Sequence, residues 1–283
     1  MSDIFPTMPL GPGSQPPEED GATLAILQLP SGMMTFSTPH IPEPTDAALL
    51  TAGKSVGMEI LALLRRHVAS AGQVGVAELS HLGREDFEFV RQLLGEGEVS
   101  IVCGNRFQAQ ESVLAGVWMV RQTEPDGSTR DYVEIGSFPA AILAHAFPNA
   151  ATRVEMPATL KPNLFNAPPL LAEINEQITR VDEGLIEQHV INLSLLPHTE
   201  EDLTFLDEQL GEGDLIILSR GYGNCRIRST GTRHCWWVRH YNSQDTLILN
   251  CLEISFVPNV ALAAPEDLAD SAERLGEIMD LYQ

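Results

Sequence analysis

Positive charge is what this chain has least of. Seventeen lysines and arginines stand against 39 acidic residues in 283, for a formal net charge of -22. A surface of that sign repels phosphate backbones, which excludes nucleic acid as an expected partner and suits a cationic polypeptide segment. Long apolar runs are missing too: none approaches the roughly 20 residues that span a bilayer, so no membrane span is expected. Residues 1–20 have neither the basic region nor the apolar core of a signal peptide, and the expected location is the cytoplasm. Cysteine is scarce. Cys103, Cys225, Cys235 and Cys251 form no C-x-x-C pair, and a reducing compartment argues against disulfides. The 43% of apolar residues suffices for a core in one large or two smaller domains.

What is present is a motif written twice. Glu85-Asp86-Phe87-Glu88-Phe89-Val90 leads to Leu94-Gly95-Glu96-Gly97-Glu98-Val99, and Glu201-Asp202-Leu203-Thr204-Phe205-Leu206 leads to Leu210-Gly211-Glu212-Gly213-Asp214-Leu215. The two copies align without a gap at an offset of 116 residues (201 minus 85), with seven of fifteen positions identical. Downstream, Trp118-Met119-Val120-Arg121 falls opposite Trp236-Trp237-Val238-Arg239. Glu134-Ile135 with Pro139 falls opposite Glu253-Ile254 with Pro258. A period this long is a duplicated domain and not a solenoid unit.

The expected fold is α+β, a tandem duplication of a helix–strand–helix–antiparallel meander unit behind an extended Pro/Gly-rich N-terminal arm. Residues 1–45 form the arm, 46–150 the first repeat, 151–168 a linker and 169–283 the second repeat. In the arm, proline fixes φ and cannot donate to a ladder, although Leu24 to Leu29 is apolar enough to form a strand or dock on the body. Asp46 to Ala71 and Pro169 to Gly184 read as helices, each leading into a short β-like run, Val74 to Leu79 and Val190 to Leu195. Phe87, Val90 and Leu94 share a helical stripe that Leu203, Leu206 and Leu210 repeat. Thr199 with Asp202 resembles a capping box, and Gly95 and Gly211 stand where a left-handed glycine ends a helix. Gly-Glu-Gly is then a helix-to-strand turn, since phosphate-cradling loops precede helices. Strands are expected at Val99–Cys103, Val113–Gln122 and Arg130–Ile135, then at Leu215–Ser219, Asn224–Arg228, Cys235–Tyr241 and Thr246–Ile254. Phe138 to Ala146 and Pro265 to Tyr282 are the helices expected to close the two halves. Whether the meanders form one sheet or two is open.

Five of the arginines fall between residues 220 and 239, around the polar-aromatic stretches Arg220-Gly221-Tyr222-Gly223-Asn224-Cys225-Arg226 and Arg233 to Tyr241, with Arg228 between them. If Trp236 and Val238 face the core, Trp237, Arg239 and Tyr241 share the other face. Exposed, with Tyr222 and Asn224 at a glycine-flanked hairpin, that stripe is a candidate partner surface. Buried, it is structural, with Arg239 paired to a carboxylate such as Glu253. The repeated Gly95, Gly97, Trp118, Arg121, Gly211, Gly213 and Trp236 favour the structural role. Cys225, His234, Cys235 and His240 are the candidate metal ligands, but C-x8-H-C-x4-H is not a recognised pattern. Residues 234 and 235 would also point to opposite faces on a strand. No cofactor is expected. Ser14, Ser219 and Ser229 lack any nucleophile-elbow context, so the chain is not expected to be an enzyme.

Taken together, GPGSQP (Gly11–Pro16), PSGMMTF (Pro30–Phe36), LGEGE and LGEGD, RGYGNCRI (Arg220–Ile227) and WWVRHYNSQDTLILN (Trp236–Asn250) resemble the HupH/HyaF family of hydrogenase expression and maturation proteins. The resemblance runs from the arm to about Val260. It implies a cytoplasmic accessory protein for uptake [NiFe]-hydrogenase, linked to the precursor of the iron–sulfur small subunit before twin-arginine export. A thioredoxin-like accessory protein is the second implied partner. The family supplies no catalytic residues to carry over, and the cysteines offer no clear ligand set, which favours a chaperone. The alternatives are a metal or iron–sulfur cluster handling factor using Cys225 and Cys235, and an assembly scaffold for other maturation proteins.

Overall fold

The meanders of both halves meet in a single antiparallel sheet. The computed structural model describes residues 50–282 apart from Ala71 and Tyr222, so the arm expected over residues 1–45 lies outside it. The first half runs α1 (Thr51–Ala69), β1 (Gly75–Glu78), α2 (Arg84–Leu94), β2 (Val99–Cys103), β3 (Phe107–Glu111), β4 (Val117–Thr123), β5 (Thr129–Ile135) and α3 (Ala140–Leu143). The second runs α4 (Ala167–Asp182), β6 (Gln188–Asn192), α5 (Glu200–Leu210), β7 (Glu212–Ser219), β8 (Asn224–Thr230), β9 (Cys235–Tyr241), β10 (Leu247–Ser255) and α6 (Pro265–Asp280). Among the described residues the strand order is β1-β5-β4-β3-β2-β7-β8-β9-β10-β6. No helix among them is long and apolar enough to cross a membrane.

The junction of the halves explains why there is one sheet. In each half the first meander strand keeps one edge unpaired, and unpaired backbone groups on an apolar strand must find partners. β2 and β7 satisfy each other, with Ile101 opposite Ile217, Val99 opposite Ser219 and Cys103 opposite Leu215. Adding the 116-residue offset of the repeated motif to 99, 101 and 103 gives 215, 217 and 219. The register therefore has a local two-fold axis between Ile101 and Ile217.

Three of the expected elements differ, one of them at its end: the run Val190–Leu195 is strand to Asn192 and then a single 3-10 turn over Leu193–Leu195. The run Val113–Gln122 is not one strand: Ser112 to Gly116 turn the chain between β3 and β4, and Leu114 is buried among the helices. The apolar Val-Leu-Ala sequence imitates a strand, while β3, with glutamines at 108 and 110, carries too few apolar residues to announce itself. The helix expected over Phe138–Ala146 shrinks to the single turn of α3, although Phe138 and Ala146 stay buried.

Three cores follow from the two faces of the sheet. One face carries α1, α2 and α6 over the first half, around Leu64, Phe89, Val133 and Leu275, and α4 with α5 over the second half, around Ile174, Phe205 and Leu252. The other face holds a core common to both halves, from Val120 and Trp118 through Ile101 and Ile217 to Trp236 and Val238. The last helix crosses back. α6, expected to close the second half, packs instead on α1, and its Leu268, Leu275 and Met279 join the core of the first half.

The repeated residues serve this scaffold. Gly95 (φ 60°) and Gly211 (φ 68°) end α2 and α5 in the left-handed region. A Cβ on Gly97 would strike the Ser112 carbonyl, and one on Gly213 the Ser229 hydroxyl. Trp118 donates its indole N–H to the Gly136 carbonyl at 2.9 Å, and Trp236 does the same to Ser255 at 3.0 Å. Glu134 accepts from the Ala140 N–H at 2.6 Å, reaching past Pro139, and Glu253 accepts from the Asn259 N–H past Pro258. Burial raises both carboxyls above their ordinary value.

The capping box at α5 is present and does more than the sequence indicates. The Thr199 hydroxyl accepts from the Asp202 N–H at 3.0 Å, and Asp202 accepts from the Thr199 N–H at 3.2 Å. Asp202, fully buried, also accepts from the N–H groups of Phe165, Asn166 and Ala167 at 2.9–3.2 Å, so one carboxylate caps two helices. Burial pushes this carboxyl up, but the four N–H groups outweigh it and hold its pKa below the ordinary carboxylate value. Asp202→Ala strands the buried Ala167 N–H and is expected to cost about 2 kcal/mol, with Asp202→Asn costing less. Urea unfolding of the two variants tests this. Equal costs would show that the charge and its geometry do not matter.

Candidate functional site

Trp237, Arg239 and Tyr241 do share the face opposite Trp236, as the alternation requires, but that face is covered. Trp237 is 1% exposed and Arg239 5%, beneath α4 and α5, so the pair forms no exposed stripe. The Trp237 indole N–H donates to Asn250 Oδ1 at 2.6 Å, and the guanidinium carbons of Arg239 and Arg228 lie 4.9 and 6.0 Å from its ring centre. The expected Arg239–Glu253 pairing does not form. Glu253 stands opposite Trp236 in the ladder and so faces the other side of the sheet. Among the described residues no carboxylate pairs with Arg239, and burial lowers its pKa without taking a guanidinium near neutrality.

Tyr241 is half-buried, with the Arg226 guanidinium 4.3 Å from its ring centre, and Asn224 stands opposite it in register. These two residues, with Arg220, His240 and Ile248, line an open cleft of about 510 Å³ at one end of β8 and β9. Tyr222 lies outside the described residues. Of the five residues proposed for a partner, two therefore reach a cleft and two belong to the core.

The four candidate metal ligands are not brought together. Cys225 and His240 are opposite in register, Sγ to Nε2 3.8 Å, with Cys225 buried in the core common to both halves. Cys235 lies on the other face, under α4 and α5. His234 sits on a turn before β9 (φ 60°), not on a strand, with Nε2 3.1 Å from Asp182. Two thiols on opposite faces of a sheet cannot share an ion. Burial pushes Cys225 and Cys235 to about 12 and Cys103 and Cys251 to about 11, which keeps all four protonated and poorly nucleophilic near neutrality. Among the described residues no group of three His, Cys, Asp or Glu could hold a metal.

A second cleft, which the sequence does not announce, opens on the helix-bearing face of the first half. It measures about 270 Å³ between α2 and β2–β5, with Met119 and Gln110 beneath, Phe87 and Arg91 on the helix side and the Arg121–Asp131 pair on the other.

Residues 50–156 match the C-terminal conserved region of the HupH hydrogenase expression protein, and residues 164–282 match the same family model again. The chain belongs to the HupH family. It is 45% identical over 278 residues to the hydrogenase expression/formation protein HoxQ of Cupriavidus necator, covering 97% of this chain and 96% of that one. It is 33% identical to the hydrogenase-1 operon protein HyaF of Escherichia coli, covering 98% and 96%. A solved structure, the hydrogenase expression protein HupH of Thiobacillus denitrificans, is 32% identical over 41% of this chain and 95% of that one, with a TM-score of 0.38.

Within this HupH-family chain the motifs that carry the resemblance have distinct places. LGEGE and LGEGD turn α2 and α5 into the sheet, whereas RGYGNCRI and WWVRHYNSQDTLILN build the end of β8 and the β9–β10 hairpin, with the larger cleft between them. GPGSQP and PSGMMTF lie outside the described residues.

Proposed function

We propose that this protein is a non-catalytic accessory protein, a chaperone, in the maturation of an uptake [NiFe]-hydrogenase, acting in the cytoplasm on the precursor of the iron–sulfur small subunit before export. A thioredoxin-like accessory protein is the second proposed partner. The observation that carries the reading is the full-length likeness to a hydrogenase expression/formation protein at 45% identity. The chemistry agrees with it: four buried thiols whose pKa values burial raises, Cys103, Cys225 and Cys251 in the core common to both halves and Cys235 across the sheet, suit neither a nucleophile nor a cluster carrier. The separation of Cys225 from Cys235 counts against the metal-handling alternative. A net charge of -22 would steer a cationic segment toward the surface.

The same reading takes the chain as a tandem duplication, with residues 46–150 and 169–283 as repeats joined by 151–168. Two matches to one family model and the two-fold register of β2 with β7 support it.

An anaerobic pull-down with the small-subunit precursor, with and without its signal segment, at low and high salt, tests the function. Binding that needs the signal and weakens with salt is the expected result. Binding without the signal moves the contact to the subunit body, and no binding in any condition overturns the chaperone in favour of a scaffold for other maturation proteins.

A further inference from the structure

The two halves can be compared residue by residue along the sheet, because the ladders align their rows. In the first half, Ser100, Gln110, Met119 and Val133 stand side by side across β2, β3, β4 and β5. In the second, the same row across β7, β8, β9 and β10 reads Ile216, Arg228, Trp237 and Leu252. The neighbouring rows pair Arg121 with Asp131 in one half and Arg239 with Asn250 in the other.

Met119 therefore stands where Trp237 stands. In the second half the indole fills the space over the sheet, flanked by the guanidiniums of Arg228 and Arg239 and hydrogen-bonded through its N–H to Asn250. In the first half no ring among the described residues takes that position over Met119, and the cleft of about 270 Å³ lies there. Its volume falls below the roughly 300–1,000 Å³ of sites that take cofactors and drug-sized ligands, and suits one large side chain. Its walls repeat part of the chemistry of the filled slot, with Gln110 in the place of Arg228. Arg121 occupies the place of Arg239, and Asp131, in the place of Asn250, accepts from Arg121 through both carboxylate oxygens, which keep lone pairs for an indole N–H where the filled slot offers an amide oxygen. Unlike Arg239, the Arg121 side chain is 52% exposed and so open to an incoming ring.

We propose that this cleft receives an aromatic side chain, tryptophan above all, presented by a partner polypeptide. The ring lies over Met119 and beside Phe87, with Arg121 against its face and its N–H directed to Asp131. Cation–π attraction, contact with the thioether and an anionic acceptor all favour indole over phenylalanine or an aliphatic side chain. Tryptophan is also among the residues enriched as pocket-filling anchors at protein interfaces. The site rests on the proposed function only in taking its occupant to be part of a polypeptide, and its test uses no hydrogenase component.

The test is NMR titration of the full chain, labelled at its methionine methyls, with N-acetyl-L-tryptophanamide and separately with N-acetyl-L-leucinamide. A saturable upfield shift of the Met119 methyl with the tryptophan probe, a response at least several-fold weaker with the leucine probe, and a three- to ten-fold loss of affinity in Arg121→Gln are expected. Arg121 is a surface residue, so this variant should fold, and unchanged Tm confirms it. No saturable shift, equal response to both probes, or unchanged affinity in Arg121→Gln overturns the proposal. Binding that emerges only after deletion of residues 1–45 overturns it as well, since the chain's own N-terminal segment would then be the occupant.

Discussion

Replacing Trp237 with alanine is expected to destabilise the protein by about 3–5 kcal/mol, the usual cost of deleting a large buried aromatic side chain. At this chain length that corresponds to a fall in Tm on the order of 10 °C. The indole is 1% exposed and joins the core of α4 and α5. Its removal also strands the Asn250 side-chain oxygen and leaves Arg239, already without a carboxylate, with no ring to lie against. The half-buried Met119, at the equivalent position, should lose only about 1 kcal/mol on truncation to alanine, because one side of it already faces a cleft. Urea unfolding followed by circular dichroism compares the two. Trp237→Ala within 1 kcal/mol of the parent protein, folded but unable to bind the small-subunit precursor, would return Trp237 to the role of a surface contact.

Glu111 is expected to contribute stability that is lost as pH rises from about 4.5 to 7, and the buried Glu134 and Glu253 act in the same direction. Glu111 is 8% exposed at the end of β3, where burial pushes its pKa from 4.5 to about 7. The Gly116 N–H, 3.1 Å from Oε1, opposes the shift, while Glu98 and Asp267 add to it. Because the folded-state pKa lies above the unfolded one, the native state binds more protons between the two values. The contribution is fully present below pH 4.5 and lost as pH passes 7. The shift corresponds to about 3 kcal/mol. Glu111→Gln keeps an acceptor for Gly116 and removes the titration. It should therefore be more stable than the parent at pH 8, with the advantage shrinking toward pH 5. Parallel unfolding midpoints for the two proteins across that range would remove Glu111 from the account.

Glu111 also shows what kind of feature a sequence hides. Some of the repeated residues act locally: Gly95 and Gly211 end helices in the left-handed region, and Glu134 reaches past Pro139 to the next turn. Turn and cap chemistry depends on residues a few positions apart, and a sequence displays them. Alternation likewise placed Trp236 and Trp237 on opposite faces. It could not say that helices cover both faces, since burial is decided by elements distant in the chain.

The sequence alone determined the α+β class, the twice-written motif, the capping box at Thr199 and the family to which the chain belongs. Only tertiary structure decided that the halves share one sheet through β2 and β7, because strand edges carry no side-chain signature of the partner they will find. It also sent α6 back over the first half and split the four candidate ligands across a sheet. Finally, it showed that among the described residues one half keeps open the space the other fills with Trp237. A cleft is defined by what surrounds it, and its walls come from α2 and four strands spread over residues 87–132.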